Sequence, residues 1–288
     1  VTGYDPAFLG TTVPLPAPEQ AVRRLDYTHF TVLLDPARRL AAVTSCAVDG
    51  ASLRALPRSG TWHLDQRVPV HEQAGPELYR SNPLDRGHLV RRLDPVWGDP
   101  ETARRANGDT FAYTNAAPQV ARFNQSKELW NGLEDHVLEY AGAYDHRIVV
   151  HTGPVLADDD PVYRGVGIPR LFWKVVAWAP GPEGLAATAF VLDQTPQLDE
   201  AELEMVTAQA LAADRIPPLG PYRTYQVPVA DVPALTRLDL GPLREADVLS
   251  RGELPPSGSE RAPEVTIQRL PRARRWAHLR TREQIRLG

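Results

Sequence analysis

The run Phe172-Trp-Lys-Val-Val-Ala-Trp178 is apolar at every position but Lys174. A stretch this short and this uniformly apolar reads as a strand buried on both faces in the middle of a sheet. Lys174 then reads first as a structural lysine paired to a carboxylate, and second as a substrate contact. Strand character recurs at Thr28–Leu34 and Leu40–Val48, a hairpin joined by the turn-like Asp35-Pro36, and again at Arg147–Thr152, Leu185–Leu192 and Tyr222–Val227. Helical spacing marks Lys127–Ala141, where Leu129, Leu133 and Val137 recur every three or four residues, then Glu200–Ala213 and a short piece at Pro233–Leu235.

A chain of 288 residues, 42% hydrophobic and 24% charged, can bury one sizeable core. No apolar run reaches the roughly 18 residues a membrane helix needs. The first twenty residues lack a basic head followed by an apolar stretch, and Val1 leaves the true start of the chain open. Cys46 is the only cysteine, which excludes an internal disulfide and a cysteine-rich zinc site. A net charge of −4 argues mildly against nucleic acid as a partner. The distribution argues the other way, since Arg80, Arg86, Arg91, Arg92, Arg104, Arg105, Arg122 and Lys127 gather in one region, diluted by Asp94, Asp99, Glu101, Asp109 and Glu128.

In that region stands Asp85-Arg86-Gly87-His88, followed by Asn115, Asn124 and Glu134. Metal-assisted phosphodiester hydrolysis needs a base for water, a cation for the phosphoryl charge and ligands for that cation. The His88 imidazole titrates near neutrality when unperturbed, so it can take a proton. Asn124 offers a neutral oxygen and Glu134 a carboxylate, a donor set for Mg²⁺, with Mn²⁺ as a substitute. Gly87 lets the backbone pass close to a neighbour or adopt an unusual turn.

Three blocks in order, Leu84-Asp-Arg-Gly-His-Leu89, Tyr113-Thr-Asn-Ala-Ala-Pro-Gln119, and Phe123-Asn-Gln125 leading to Leu129-Trp130 and Leu133-Glu134, resemble the DNA/RNA non-specific endonucleases, the endonuclease G-like ββα-metal group. The likeness runs from about Gly3 to Asp247. It implies a one-domain α+β fold with a central, mainly antiparallel sheet. It also implies Mg²⁺-dependent, sequence-nonspecific cleavage of DNA and RNA, leaving 5′-phosphates. His88 would be the general base, Asp85 would fix the site geometry, and Arg86 would meet phosphate or Asp85; a purely structural Asp85–Arg86 pair is the alternative. Asn115 would position catalytic groups or substrate, or else cap a turn. Asn124 would ligate the metal directly and Glu134 would hold water of its shell. An arginine preceding a Trp-x-x-Asp segment contacts the scissile phosphate in the family; Arg58, before Trp62 and Asp65, is the best match here, against the reading of an exposed loop arginine.

The resemblance leaves two points unsettled. Asn124 and Glu134 stand ten residues apart, two more than in compact relatives, so Asn124 must lie in a bent or non-helical entry to the helix, with Glu128 as the rival carboxylate. The ββ pair falls at Gly87–Val90 and Thr110–Asn115, around a polar loop over 94–109. His136, His146 and His151 read as structural or exposed. Residues 1–249 form the domain, with 1–24 a proline-rich arm; 250–288 are a Pro/Ser-rich linker and a basic tail. That tail is a solvated, poorly ordered end, a helix packed back on the domain through Trp276, Leu279 and Ile285, or a clamp on phosphates. DNA and RNA are the expected partners, no membrane is, and a homodimer is compatible with the sequence.

Overall fold

In the computed structural model the described residues are 2–57, 59–120, 146–181, 184–196, 198, 200–220, 223–250, 276–281 and 284–286. The strands in chain order are β1 (Ala17–Pro18), β2 (Arg23–Tyr27), β3 (Phe30–Asp35), β4 (Leu40–Asp49) and β5 (Leu84–His88). Next come β6 (Ala116–Val120), β7 (Arg147–Pro154), β8 (Val162–Tyr163), β9 (Val166–Gly167) and β10 (Leu171–Trp178). The last are β11 (Ala186–Asp193), β12 (Arg223–Val227), β13 (Leu238–Asp239) and β14 (Ala277–Leu279).

Eight of them make one sheet in the order β14-β12-β11-β10-β7-β4-β3-β2. Every neighbouring pair is antiparallel. The apolar run at 172–178 is β10, inside the sheet as its composition requires. Its side chains alternate between two buried layers. Phe172, Val176 and Trp178 join Phe30, Val32, Ile148, Phe190 and Leu89 on one face. Leu171, Trp173, Val175 and Ala177 join Val149, Val191, Tyr225 and Val227 on the other. The near face is the one that carries the candidate site.

The far face is covered by both ends of the chain. Tyr4, Phe8 and Val13 bury there, and β1 pairs with β13. The helix Asp231–Thr236 adds Val232, and Trp276 donates Nε1–H to Asp231 at 2.9 Å. β14 pairs with β12 at the sheet edge, and Gln226 holds Arg286 through the backbone in both directions, at 2.8 and 3.1 Å. The described part of the basic tail is therefore strand and sheet contact, not helix. No helix among the described residues is long and apolar enough to cross a membrane.

Two local expectations are corrected. The stretch 94–109 is not all loop: it contains α2 (Pro100–Asp109), following the single-turn α1 (Pro76–Tyr79). Asp99 caps α2 by accepting from the backbone N–H of Glu101 and Thr102, and Pro100 sits where no helical donor is needed. Thr110–Asn115 is not a strand either. It ends in a 3₁₀ turn at Tyr113–Asn115, and the two paired strands are β5 and β6. The expected helix at Lys127–Ala141 lies outside the described residues.

Candidate active site

Residues 50–146 leave the end of β4 and return at β7, its direct neighbour, with Asp49 opposite Arg147. The described part of the site region, within 50–120, leaves the sheet between these two strands and packs on the near face. Leu89, Val90, Ala112 and Ala117 root it in the near-face core.

Its centre is the two-stranded ribbon β5–β6, with Asp85 opposite Gln119, Gly87 opposite Ala117 and His88 opposite Ala116. Alternation along β5 puts Leu84, Arg86 and His88 on one side, and Asp85 and Gly87 on the other. Leu84 is buried and anchors the first side. At Gly87 a side chain would have to displace that of Gln119. A Cβ there would stand 2.1 Å from Cδ of Gln119, whose side chain lies across the glycine. The glycine serves a close approach rather than a turn.

His88 is half-buried in an aromatic pocket. Its ring centroid is 4.6 Å from Trp62 and 5.2 Å from Phe111, the latter edge-on at 85°. Trp62 continues to Tyr113 at 5.7 Å, and Tyr113 stacks with Tyr79 at 6.0 Å. Over those two tyrosines lies the Arg86 guanidinium, 5.3 Å from the Tyr79 ring and 5.8 Å from the Tyr113 ring. Its Nε–H donates to Tyr113 Oη at 3.2 Å. Arg86 stays exposed, so an anion can reach a cation that the rings hold in place.

Asn115 is fully buried. Its side-chain oxygen accepts from Val90 N–H at 2.8 Å, and its NH₂ donates to the carbonyls of Val90 and Thr110, both at 3.0 Å. Its own carbonyl accepts from Leu89 N–H at 2.9 Å. Every one of these bonds fixes backbone, and two residues just after His88 are held by it. Asp85 is exposed on the ribbon's other side. Arg58, Asn124, Glu134, Glu128, Trp130 and His136 lie outside the described residues.

The loop carrying Trp62 is tied down by a polar network that its sequence did not announce. Asp65, buried, accepts from the Tyr27 hydroxyl and from Arg67, whose Nη2 lies 2.6 Å away. Burial alone would raise the Asp65 pKa; its bonds from Arg67 and Tyr27 outweigh that and hold it below the usual carboxylate range. The Tyr27 oxygen also meets Thr114 Oγ1 at 2.6 Å, one residue before Asn115. Gln73, buried, brackets the same turn by bonding both the N–H and the carbonyl of Asp65.

Other residues named from the sequence divide. Lys174 is buried on the near face of β10. With Asp94 it shapes the field at the Cys46 thiol, which burial pushes up. His151 is a core residue of the far face. Its Nδ1 meets Ser45 Oγ at 2.7 Å, its ring touches Tyr4, and burial pushes its pKa down to about 3. Arg92 points inward to backbone carbonyls rather than out to solvent, and Arg105 donates to Thr28 Oγ1.

Known proteins share this architecture and sequence. A crystal structure of the EndoG/EndoGI complex superposes with a TM-score of 0.56 at 18% identity, over 76% of this chain and 86% of that one, a likeness of fold. An uncharacterized protein of Sinorhizobium fredii, y4fB, is 36% identical over 258 residues, 80% of this chain and 37% of its own length. Mitochondrial endonuclease G of Bos taurus is 30% identical over 152 residues, 49% of this chain and 48% of that protein. The Homo sapiens protein of the same name is 30% identical over 149 residues, 48% and 47% respectively. The chain therefore spans between 37% and 48% of the length of these curated relatives. The family model for DNA/RNA non-specific endonucleases matches residues 11–245, most of the chain. With the antiparallel sheet and the β5–β6 ribbon in place, the chain belongs to the DNA/RNA non-specific endonuclease family.

Proposed function

We propose that this chain is a metal-dependent nuclease that hydrolyses phosphodiester bonds of DNA and RNA without regard to sequence. The observation that supports this most directly is the placement of Arg86 and His88 on one side of the β5–β6 ribbon, a cation and a base two residues apart in the family's Asp-Arg-Gly-His motif.

In this reading His88 accepts a proton from water. The water oxygen forms a bond to phosphorus as the bond from phosphorus to the 3′ oxygen breaks; the 3′ oxygen takes a proton from solvent, leaving a 3′-hydroxyl and a 5′-phosphate. Arg86, with Arg58, meets the phosphate oxygens, where a guanidinium forms paired hydrogen bonds. Asp85 fixes the local geometry of the site, and Asn115 keeps the backbone after His88 in register. Asn124 and Glu134 would hold the metal, since one amide oxygen and one carboxylate suit a hard dication that keeps most of its waters. Mg²⁺, or Mn²⁺ in its place, supplies positive charge where negative charge develops on the phosphate. The decisive experiment follows supercoiled plasmid and a structureless RNA with Mg²⁺ and with EDTA. Nicking of both that EDTA abolishes is expected. Binding without cleavage would mean a relic site, and inertness toward both polymers would redirect the search to small phosphodiesters.

A further inference from the structure

Arg86 is fixed without being neutralised. Its guanidinium lies over the Tyr79 and Tyr113 rings, and its Nε–H donates to a neutral oxygen, Tyr113 Oη, at 3.2 Å. No carboxylate among the described residues pairs with it, and the adjacent Asp85 projects from the other side of the ribbon. Arg23, Arg38, Arg39 and Arg67, by contrast, are each tied to an acidic side chain. A carboxylate partner at Arg86 would cancel the charge that attracts a phosphate. A phenol oxygen orients the group and leaves that charge intact.

The groups that hold Arg86 are themselves anchored. Tyr113 is buried; its backbone N–H donates to the His63 carbonyl at 2.9 Å, and its carbonyl accepts from Ala116 N–H. Tyr79 ends α1, and the turn of the β8–β9 hairpin clasps that end: Arg164 Nη1 donates to the carbonyls of Glu77 at 3.1 Å and Arg80 at 2.7 Å. Trp62 touches both Tyr113 and His88, so the cation and the base share one aromatic frame. With Nε engaged by Tyr113, the two Nη groups at the tip form the edge that can grip two phosphate oxygens.

We propose that Tyr113 is a positioning residue: its hydroxyl sets the plane of the Arg86 guanidinium, so that the Nη edge meets the phosphate beside His88. The proposal rests on the nuclease reading and on the phosphate role of Arg86. Tyr113 need not touch substrate for this.

The test measures kcat and KM on plasmid, Tm and the salt dependence of duplex binding for Tyr113→Phe, Arg86→Ala, Arg86→Lys and the two double variants. Tyr113→Phe keeps both rings and the charge and loses only the acceptor. It should lower kcat about 10-fold, within the scale of a small misplacement near the reacting atoms, with KM, Tm and salt slope unchanged. Arg86→Ala should fall further and flatten the slope of log affinity against log salt by about 0.9, one phosphate contact. Lysine keeps a charge but has no planar fork, so Arg86→Lys should stay about 10-fold or more below wild type. Adding Tyr113→Phe to either Arg86 variant should cost nothing more, because a residue that acts only through another is silent once that other is gone. A Tyr113→Phe rate within about threefold of wild type, a loss confined to KM, or losses that multiply in the double variants would overturn the role of Tyr113. Should Tyr113→Phe not fold, Arg86→Lys decides, and activity within about threefold of wild type would overturn the oriented fork. An Arg86→Ala protein as active as wild type would remove the phosphate role on which the proposal rests, and a wild type that never cleaves would remove the nuclease reading.

Discussion

Replacing Gly60 with alanine puts a methyl group where the Phe111 ring now lies. Its Cβ would stand 2.2 Å from Cδ2 and Cε2 of that ring and 2.8 Å from Cγ. Ordinary contact begins at 3.4 Å, so ring or loop must retreat by about 1.2 Å. The Phe111 ring is buried, 2% exposed, and packs against His88 at 5.2 Å and Trp62 at 5.5 Å between centroids. Overpacking of this kind costs about 1–3 kcal/mol, a fall of several degrees in Tm for a chain of this size. A shift of about 1 Å carried to His88 costs up to about 10²-fold in kcat. Thermal denaturation and initial rates of plasmid nicking read the two effects separately. Adding Phe111→Leu should recover part of both, since the shorter side chain makes room. A Gly60→Ala protein with native Tm and a rate within about threefold of wild type would refute the contact geometry. A lowered Tm with an unchanged rate would show that Phe111 fills the core without registering the base.

The buried His151 makes the fold acid-sensitive. Its pKa, about 3 when folded, lies below its unfolded value of 6.5, so between those limits the unfolded chain binds the extra proton and stability falls as pH falls, by up to about 5 kcal/mol. His151→Gln should flatten stability against pH over that window; an unchanged slope would place the acid sensitivity elsewhere. Trp276→Ala should cost roughly 3 kcal/mol by emptying a far-face site and removing one hydrogen bond to Asp231, whereas a variant as stable as wild type would mean that the tail is not part of the fold. Asn124→Ala should raise the Mg²⁺ concentration needed for half-maximal rate, and Glu134→Ala should lower the rate as well. If Glu128→Ala does more harm than Glu134→Ala, the carboxylate assignment is wrong.

The parts legible in the sequence are those where one requirement acts on many residues. Both faces of β10 are buried, so its apolar run declares itself, as do β7 and β11 beside it. The Asp-Arg-Gly-His segment is legible for its chemistry and illegible as a strand. β5 pairs through backbone while its side chains are polar or absent, against ordinary strand preference. Thr110–Thr114 misleads in the opposite way. Its residues favour a strand, yet Asn115 captures the Thr110 carbonyl and Tyr113 N–H bonds the His63 carbonyl, which leaves a turn. α2 escapes a periodicity search because its buried residues are Ala103, Ala106 and Asn107, small or polar; only the Asp99-Pro100 cap marks it. Asp65, Arg92 and Asn107 act on backbone carbonyls and single hydroxyls far along the chain, and no local pattern encodes such partners.

The claim on which the rest depends is that His88, held between Trp62 and Phe111 on the β5–β6 ribbon, is the general base. The measurement that tests it most directly is the single-turnover rate of plasmid cleavage by His88→Ala at saturating Mg²⁺, with Tm and duplex affinity measured on the same preparation. The expected result is a loss of about 10²–10⁴-fold in rate, with affinity and fold retained. A folded His88→Ala protein that cleaves within about threefold of wild type would contradict it.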